Sequence, residues 1–239
     1  MNKSDDLKFR FEVPRAPQEK VVELTIEQTE QVLVEQLAAA KDNPIEAMWE
    51  LAQFHKNHSG KLDRAFEQFR QLLERVPYLE AKAEIVLALG QTAERTSDYA
   101  MAEQFHRQAL SMEPTSSLIW YFIHNNLGFS LNQLGRFEEG ETCCRRAIGI
   151  NAQRSNGHKN LGLSLQGQGR YREAAESFVA STQANASDAR SLRHLEELLA
   201  EHPELQFDFD SALEACRMAV AVAKEAMEKA NAAWRIKQK

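Results

Sequence analysis

No stretch of this 239-residue chain is apolar for long enough to cross a bilayer, and Met1-Asn2-Lys3-Ser4-Asp5-Asp6 lacks the apolar core of a secretory leader. Cysteine is scarce: there are three, two of them adjacent at Cys143-Cys144, so neither a disulfide framework nor a CxxC metal spacing exists. No Walker, HExxH, GxGxxG or Ser/His/Asp arrangement is present. An excess of positive charge is missing too. Twenty-nine Lys and Arg against 35 Asp and Glu leave a net charge of −6, which argues against nucleic acid as the main partner. These absences predict a cytoplasmic, non-catalytic chain with no metal, no cofactor and no membrane partner.

What the chain does have is a repeat. His124-x-x-Leu127-Gly128-x-x-Leu131, followed by Gly135-Arg136-Phe137-x-x-Gly140-x-x-x-Cys144-x-x-Ala147, recurs as His158-x-x-Leu161-Gly162-x-x-Leu165 and Gly169-Arg170-Tyr171-x-x-Ala174-x-x-x-Phe178. Leu127 to Leu161, Gly128 to Gly162 and Gly135 to Gly169 are each one step of 34 residues. The leucines form one stripe of a first helix. Gly128 and Gly162 leave room for a second helix, and Gly135 and Gly169 suit the left-handed residue that ends the first. Two such helices cannot bury their shared face alone, so pairs must stack.

The period and the residues that recur resemble the tetratricopeptide repeat. That resemblance implies an all-α, right-handed α–α superhelix with capping helices at both ends. It also implies a concave groove lined by the first helices, in which partners bind.

Taken in order, residues 1–17 alternate Leu7, Phe9, Phe11 and Val13 with charges until Pro14 and Pro17, and read as a flexible arm that either packs loosely or adds to a partner's sheet edge. Residues 18–43 read as an N-terminal capping helix, with Thr25-Ile26-Glu27-Gln28 matching a capping box. Residues 44–188 hold four helical pairs. The first carries Trp49, Leu51-Ala52, Ala65 and Phe69; the second carries Val86, Leu89-Gly90, Tyr99 and Ala102. Leu89 to Leu127 is 38 residues, so four extra residues near Ser117–Trp120 should lengthen the third pair's first helix or the loop before it. Residues 189–239 read as a partial fifth repeat helix (Leu192, Leu195, Leu198, Leu199), a break and loop from Glu201 to Phe209, and a capping helix from about Asp210. The apolar stripe of that last helix is mostly alanine: Ala212, Ala215, Ala219, Ala223, Ala226 and Ala230.

A stripe distinct from the packed leucines runs along the predicted first helices: Phe122, Asn125, Asn126 and Phe129, then Asn156, Lys159, Asn160 and Leu163, then Arg190, Arg193, His194 and Glu197. Asn126 and Asn160 recur in phase where members of the resembled family place asparagines that clamp a peptide backbone, and an amide both donates and accepts. The plain alternative is a set of solvated polar positions on exposed faces. The peptide-binding candidates are therefore Phe122, Asn125, Asn126, Phe129, Asn156, Lys159, Asn160, Arg190, Arg193 and His194. The carboxylate clamp of chaperone-binding members is matched in part, by Asn160, Arg190 and His194. It is broken at Asn125 and Phe129, where that clamp has Lys and Asn. His124 and His158 occupy the family's packing-Trp position and read as half-buried structural residues rather than metal ligands. Cys144 reads as a small core residue. The function expected is a protein–protein interaction adaptor that holds an extended peptide segment of a partner. A homodimerisation module is the alternative.

Overall fold

The computed structural model describes residues 24–41, 43–58 and 60–237, with side chains described to residue 233. The proposed arm of residues 1–17 lies outside the described residues. Eleven α-helices are described: α1 (Ile26–Ala39), α2 (Ile45–Asn57), α3 (Leu62–Arg75), α4 (Leu79–Arg95), α5 (Tyr99–Ser111), α6 (Ser117–Gln133), α7 (Phe137–Ile150), α8 (Ser155–Gly167), α9 (Tyr171–Ala184), α10 (Arg190–Glu201) and α11 (Gln206–Lys237), with a 3-10 turn over Pro203–Leu205. No strand occurs among the described residues. Consecutive helices pack as pairs: α2 with α3, α4 with α5, α6 with α7 and α8 with α9. The first helices of neighbouring pairs also touch, α4 with α6 and α6 with α8. The protein is an all-α solenoid.

The helix starts follow local chemistry. Thr25 accepts from Gln28 N at 3.2 Å while the Gln28 side chain accepts from Thr25 N at 2.8 Å, the reciprocal pair of a capping box. α1 thus begins at Ile26, at the capping box expected from the sequence, and residues 18–23 of the expected capping helix lie outside the described residues. Asp98 and Ser116 cap α5 and α6 through their side-chain oxygens. α6 spans 17 residues against 13 in α8, so the extra residues of the 38-residue step are helix, with Ile119 among them buried.

Two glycine roles expected from the repeat are visible as geometry. A Cβ on Gly128 would lie 2.6 Å from Cys144 Sγ of the partner helix, and one on Gly162 would run into the Phe178 ring. The close approach of each second helix therefore depends on the missing side chain. Gly135 and Gly169 have φ of +74° and +75°, so the chain turns there from first to second helix through the left-handed region.

Burial is continuous along the stack, from Phe69, Leu72 and Leu89, through Ile123, Leu127 and Leu131, to Leu165, Phe178, Leu195 and Leu199. Each such side chain stabilises the array by roughly 1.5–3 kcal/mol. α1 has no buried residue of its own. It is held by Leu37 against the first core and by Glu30, which binds Lys61 at 2.5 Å and His55 at 3.0 Å. Those two bonds, Lys61 first, hold the Glu30 carboxyl below its usual range.

The C-terminal expectation needs correction. Leu205–Phe209 is not a loop: the 3-10 turn feeds directly into α11, and Leu205, Phe209, Leu213 and Cys216 are its buried stripe. Those larger side chains close the core over Phe178, Leu195, Leu198 and Leu199. The alanine stripe does not supply the packing face, since Ala215, Ala219, Ala226 and Ala230 are exposed. Spacing of four and three residues from Leu205 to Cys216 defines a stripe separate from the alanines, and larger apolar groups win the contact because they remove more area from water.

Candidate functional site

The expected site is built on α6 and α8, side by side in the stack. Asn125 Nδ2 donates to Asn126 Oδ1 at 2.9 Å, and Asn160 Nδ2 donates across to Asn125 Oδ1 at 3.1 Å and to the Asn125 carbonyl at 3.3 Å. Deeper in the same seam, Asn132 Nδ2 donates to the Asn160 carbonyl at 2.8 Å, and Ser164 Oγ donates to Asn132 Oδ1 at 2.7 Å. Tyr121 adds a hydroxyl that accepts from Gly157 N at 3.1 Å.

These asparagines do not stand on open faces, as the sequence reading held: Asn125 is 5%, Asn126 8% and Asn160 2% exposed. The reason is that α6 and α8 approach closely, so amides facing the neighbouring helix exchange bonds with it instead of with water. Two polar atoms are left over. Asn160 Oδ1 is buried without a hydrogen-bond partner. The Asn126 amide nitrogen donates to none of the described residues.

Around this seam the other candidates fall into two groups. Phe122 is half-buried, with the Arg154 guanidinium 5.0 Å from its ring centre and 5.2 Å from that of Tyr121. Phe129 is half-buried too but is engaged within the fold, edge-on to Tyr99 at 5.9 Å.

The second group gathers at α8 and α10. Arg190 is bound to Asp188 through three contacts of 2.5 to 2.9 Å and reaches Asn156 Oδ1 at 3.4 Å. Arg190 holds the Asp188 carboxyl down at about 2. Lys159 is half-buried; burial, then the nearby Arg190, pull its pKa below the usual lysine value. His194 stacks on Phe178 at 5.3 Å, and burial lowers its pKa below the usual histidine value. Arg193 is exposed and has no ion-pair partner among the described residues. Arg190 is thus committed to its own chain, and the partial carboxylate clamp is weaker than its sequence match implies.

Sequence reasoning passed over several residues of this face. Asn132 lies one turn beyond the stripe, and its role becomes visible only once α8 is placed. The stripe also extends back into α4, where the positions 38 residues before Phe122, Asn125, Asn126 and Phe129 are Glu84, Leu87, Ala88 and Gln91. Gln91 accepts from Lys56 Nζ of α2 at 2.7 Å; burial, then Arg95, lower the Lys56 pKa to about 8.

His124 and His158 are not brought together on a metal. His124 is buried and stacked on Trp120 at 5.6 Å, and His158 bonds the Ala152 carbonyl at 2.8 Å. No cluster of three or more metal-ligating side chains occurs among the described residues. The cysteines are free and buried, and burial pushes the Cys144 thiol up to about 12, as befits a core residue. No described helix is long and apolar enough to cross a membrane.

No curated protein sequence matches the chain. A family model described as tetratricopeptide repeat matches residues 83–116 and 123–154. Among solved structures, BtubC from P. vanneervenii superposes with a TM-score of 0.66 at 17% identity, over 86% of this chain and 93% of that one. YrrB, titled a TPR protein with an unusual peptide-binding site, gives 0.54 at 17% identity over 83% and 99%. MamA from Desulfovibrio magneticus RS-1 gives 0.51 at 10% identity over 86% and 98%. The 34-residue step, the glycines between paired helices and these superpositions agree on the fold: residues 83–116 and 123–154 match the tetratricopeptide repeat, and the described helices stack as in solved proteins of that solenoid fold.

Proposed function

We propose that this protein is a non-catalytic protein–protein interaction adaptor that holds an extended peptide segment of a partner against the face formed by α4, α6, α8 and α10. The observation that carries the reading is the pair of unmatched amide atoms on neighbouring helices. Among the described residues, Asn126 has a free donor and Asn160 an unpartnered acceptor, with Asn125 bonded to both residues. A peptide backbone offers a carbonyl and an N–H in alternation, which is the complement of that pair. Engaging Asn160 requires it to turn out of its bond with Asn125. Phe122, Asn156, Lys159 and Arg193 flank the seam and supply side-chain contacts. The YrrB likeness supports the reading at the level of fold. A cytoplasmic setting suits three free cysteines.

The test is binding of partner peptides to Asn126→Ala and Asn160→Ala, each against its melting temperature. Loss of affinity in folded variants supports the groove, and unchanged affinity refutes it.

Self-association is a second reading, favoured by one observation. α11 runs on past its packed stripe and exposes Met218, Val222 and Met227 at 63%, 65% and 52%. Light scattering across a hundredfold concentration range separates the two, since a persistent dimer lost on Met218→Glu/Val222→Glu supports this second reading.

A further inference from the structure

Where the first and second pairs meet, the same face bears a feature that the asparagine seam does not use. Trp49 of α2, Leu72 and Val76 at the end of α3, and Ala81 and Ile85 of α4 enclose an apolar niche of about 20 Å³. Glu84 is the one charged residue in its wall. By repeat position Glu84 is the counterpart of Phe122, 38 residues on, and Trp49 that of Asn125, 76 residues on.

The Glu84 carboxylate is left without the partners such a group normally has. It accepts no hydrogen bond and forms no ion pair among the described residues. Burial, followed by the neighbouring Glu80, pushes its pKa up, and only Lys56 opposes them. Lys56 directs its ammonium at Gln91, 2.7 Å away. Glu80 is itself occupied, accepting from the backbone N–H of Thr115 at 2.7 Å and of Ser116 at 2.9 Å. Glu84 is thus a half-buried carboxylate with no protein partner among the described residues, standing beside a hydrophobic wall.

We propose that this niche receives a lysine or arginine side chain of the bound segment, its methylene stem against the partly exposed Ile45, Trp49 and Ala81 and its cationic head on Glu84. The proposal rests on the peptide-binding reading above. A small apolar niche of this kind suits an unbranched aliphatic stem. Long cationic side chains bury such stems while leaving the head free, which lets the charge reach the Glu84 carboxylate in the niche wall. The opposite end of the face carries Lys159 and Arg193, so a cation is favoured at this end and not at that one.

A random dodecapeptide library displayed on phage and panned against the full chain provides the probe. Selected peptides are expected to hold Lys or Arg at one position. Replacing that residue by norleucine keeps the stem and removes the charge, and should weaken binding about tenfold, the size of one charge-assisted contact. In Glu84→Gln the lysine and norleucine peptides should bind within about twofold of each other. Ala81→Leu, which fills the niche, should weaken both, and circular dichroism melts report whether either variant has lost its fold. If peptides bind and depend on Asn126 and Asn160 but show no cationic position, or if Glu84→Gln leaves the lysine preference intact, this inference falls and the groove reading stands. If no peptide is selected, both fall.

Discussion

Asn160 Nδ2 donates to Asn125 Oδ1 across 3.1 Å between α8 and α6, while Asn160 Oδ1 remains buried and unpaired. One residue thus joins two repeats with one side of its amide and holds an unmet acceptor on the other. Stability and binding are coupled through it, and the variants that test function must be read together with their melting curves.

Asn160→Ala should lower stability by about 1 kcal/mol or somewhat more, since it breaks the bond to a buried Asn125 oxygen. That corresponds to a fall in melting temperature of roughly 2–4 °C for a chain of this size. Asn126→Ala should cost less, because Asn126 is more exposed and gives up only an acceptor to Asn125. Each should weaken peptide binding about threefold to tenfold. Calorimetric titration and thermal melts of the two variants check both quantities.

Gly162→Leu should unstack the array, because its Cβ alone would enter the Phe178 ring and the rest of the side chain has nowhere to go. The expected loss is about 1–3 kcal/mol or more, visible as reduced helical signal and aggregation on warming. Gly149→Ala is the contrasting variant. Nothing lies within 4 Å of its Cβ position, so the helix should gain roughly 0.5–1 kcal/mol.

Ending the chain at residue 207 removes Phe209, Leu213 and Cys216 from the core and exposes Phe178, Leu195 and Leu199. That truncation should aggregate. Ending it at residue 220 keeps the whole buried stripe and should melt within about 2 °C of the full chain, since it removes no buried contact. Equal solubility of both truncations would show that α11 does not close the stack.

Lys56 gives a pH signature. Its pKa in the fold, about 8, lies below the ordinary lysine value of 10.5, so between these limits the unfolded chain binds more protons than the folded one. Stability from this group therefore rises as pH increases from about 8 to 10.5, by an amount on the order of 2 kcal/mol. Cys143, Cys144 and Tyr121, whose pKa values burial raises, act in the opposite direction over the alkaline range. The lysine contribution is isolated by difference. Urea melts of wild type and Lys56→Met at pH 7.5, 9 and 10.5 should show the variant's advantage shrinking as pH rises.

Sequence alone determined the helical pairs, their 34-residue step and the positions of the tight turns. Those features rest on local chemistry: leucines three and four apart, Thr25 with Gln28, and Gly135 and Gly169 in the left-handed region. It also identified the residues on the first helices of the third and fourth pairs. What it misjudged was their exposure and the origin of the last core layer. Asn125, Asn126 and Asn160 look solvated on a helix taken by itself, and they are buried because a second helix stands beside them. The alanines of α11 look like its packing stripe, yet Leu205, Phe209, Leu213 and Cys216 take that place by burying the leucines of α10. The niche at Glu84 has no signature along the chain at all, since its walls come from three helices. Periodicity fixes which face a residue occupies within its helix; the approach of the neighbouring helix decides whether that face meets water, a partner amide or a ligand.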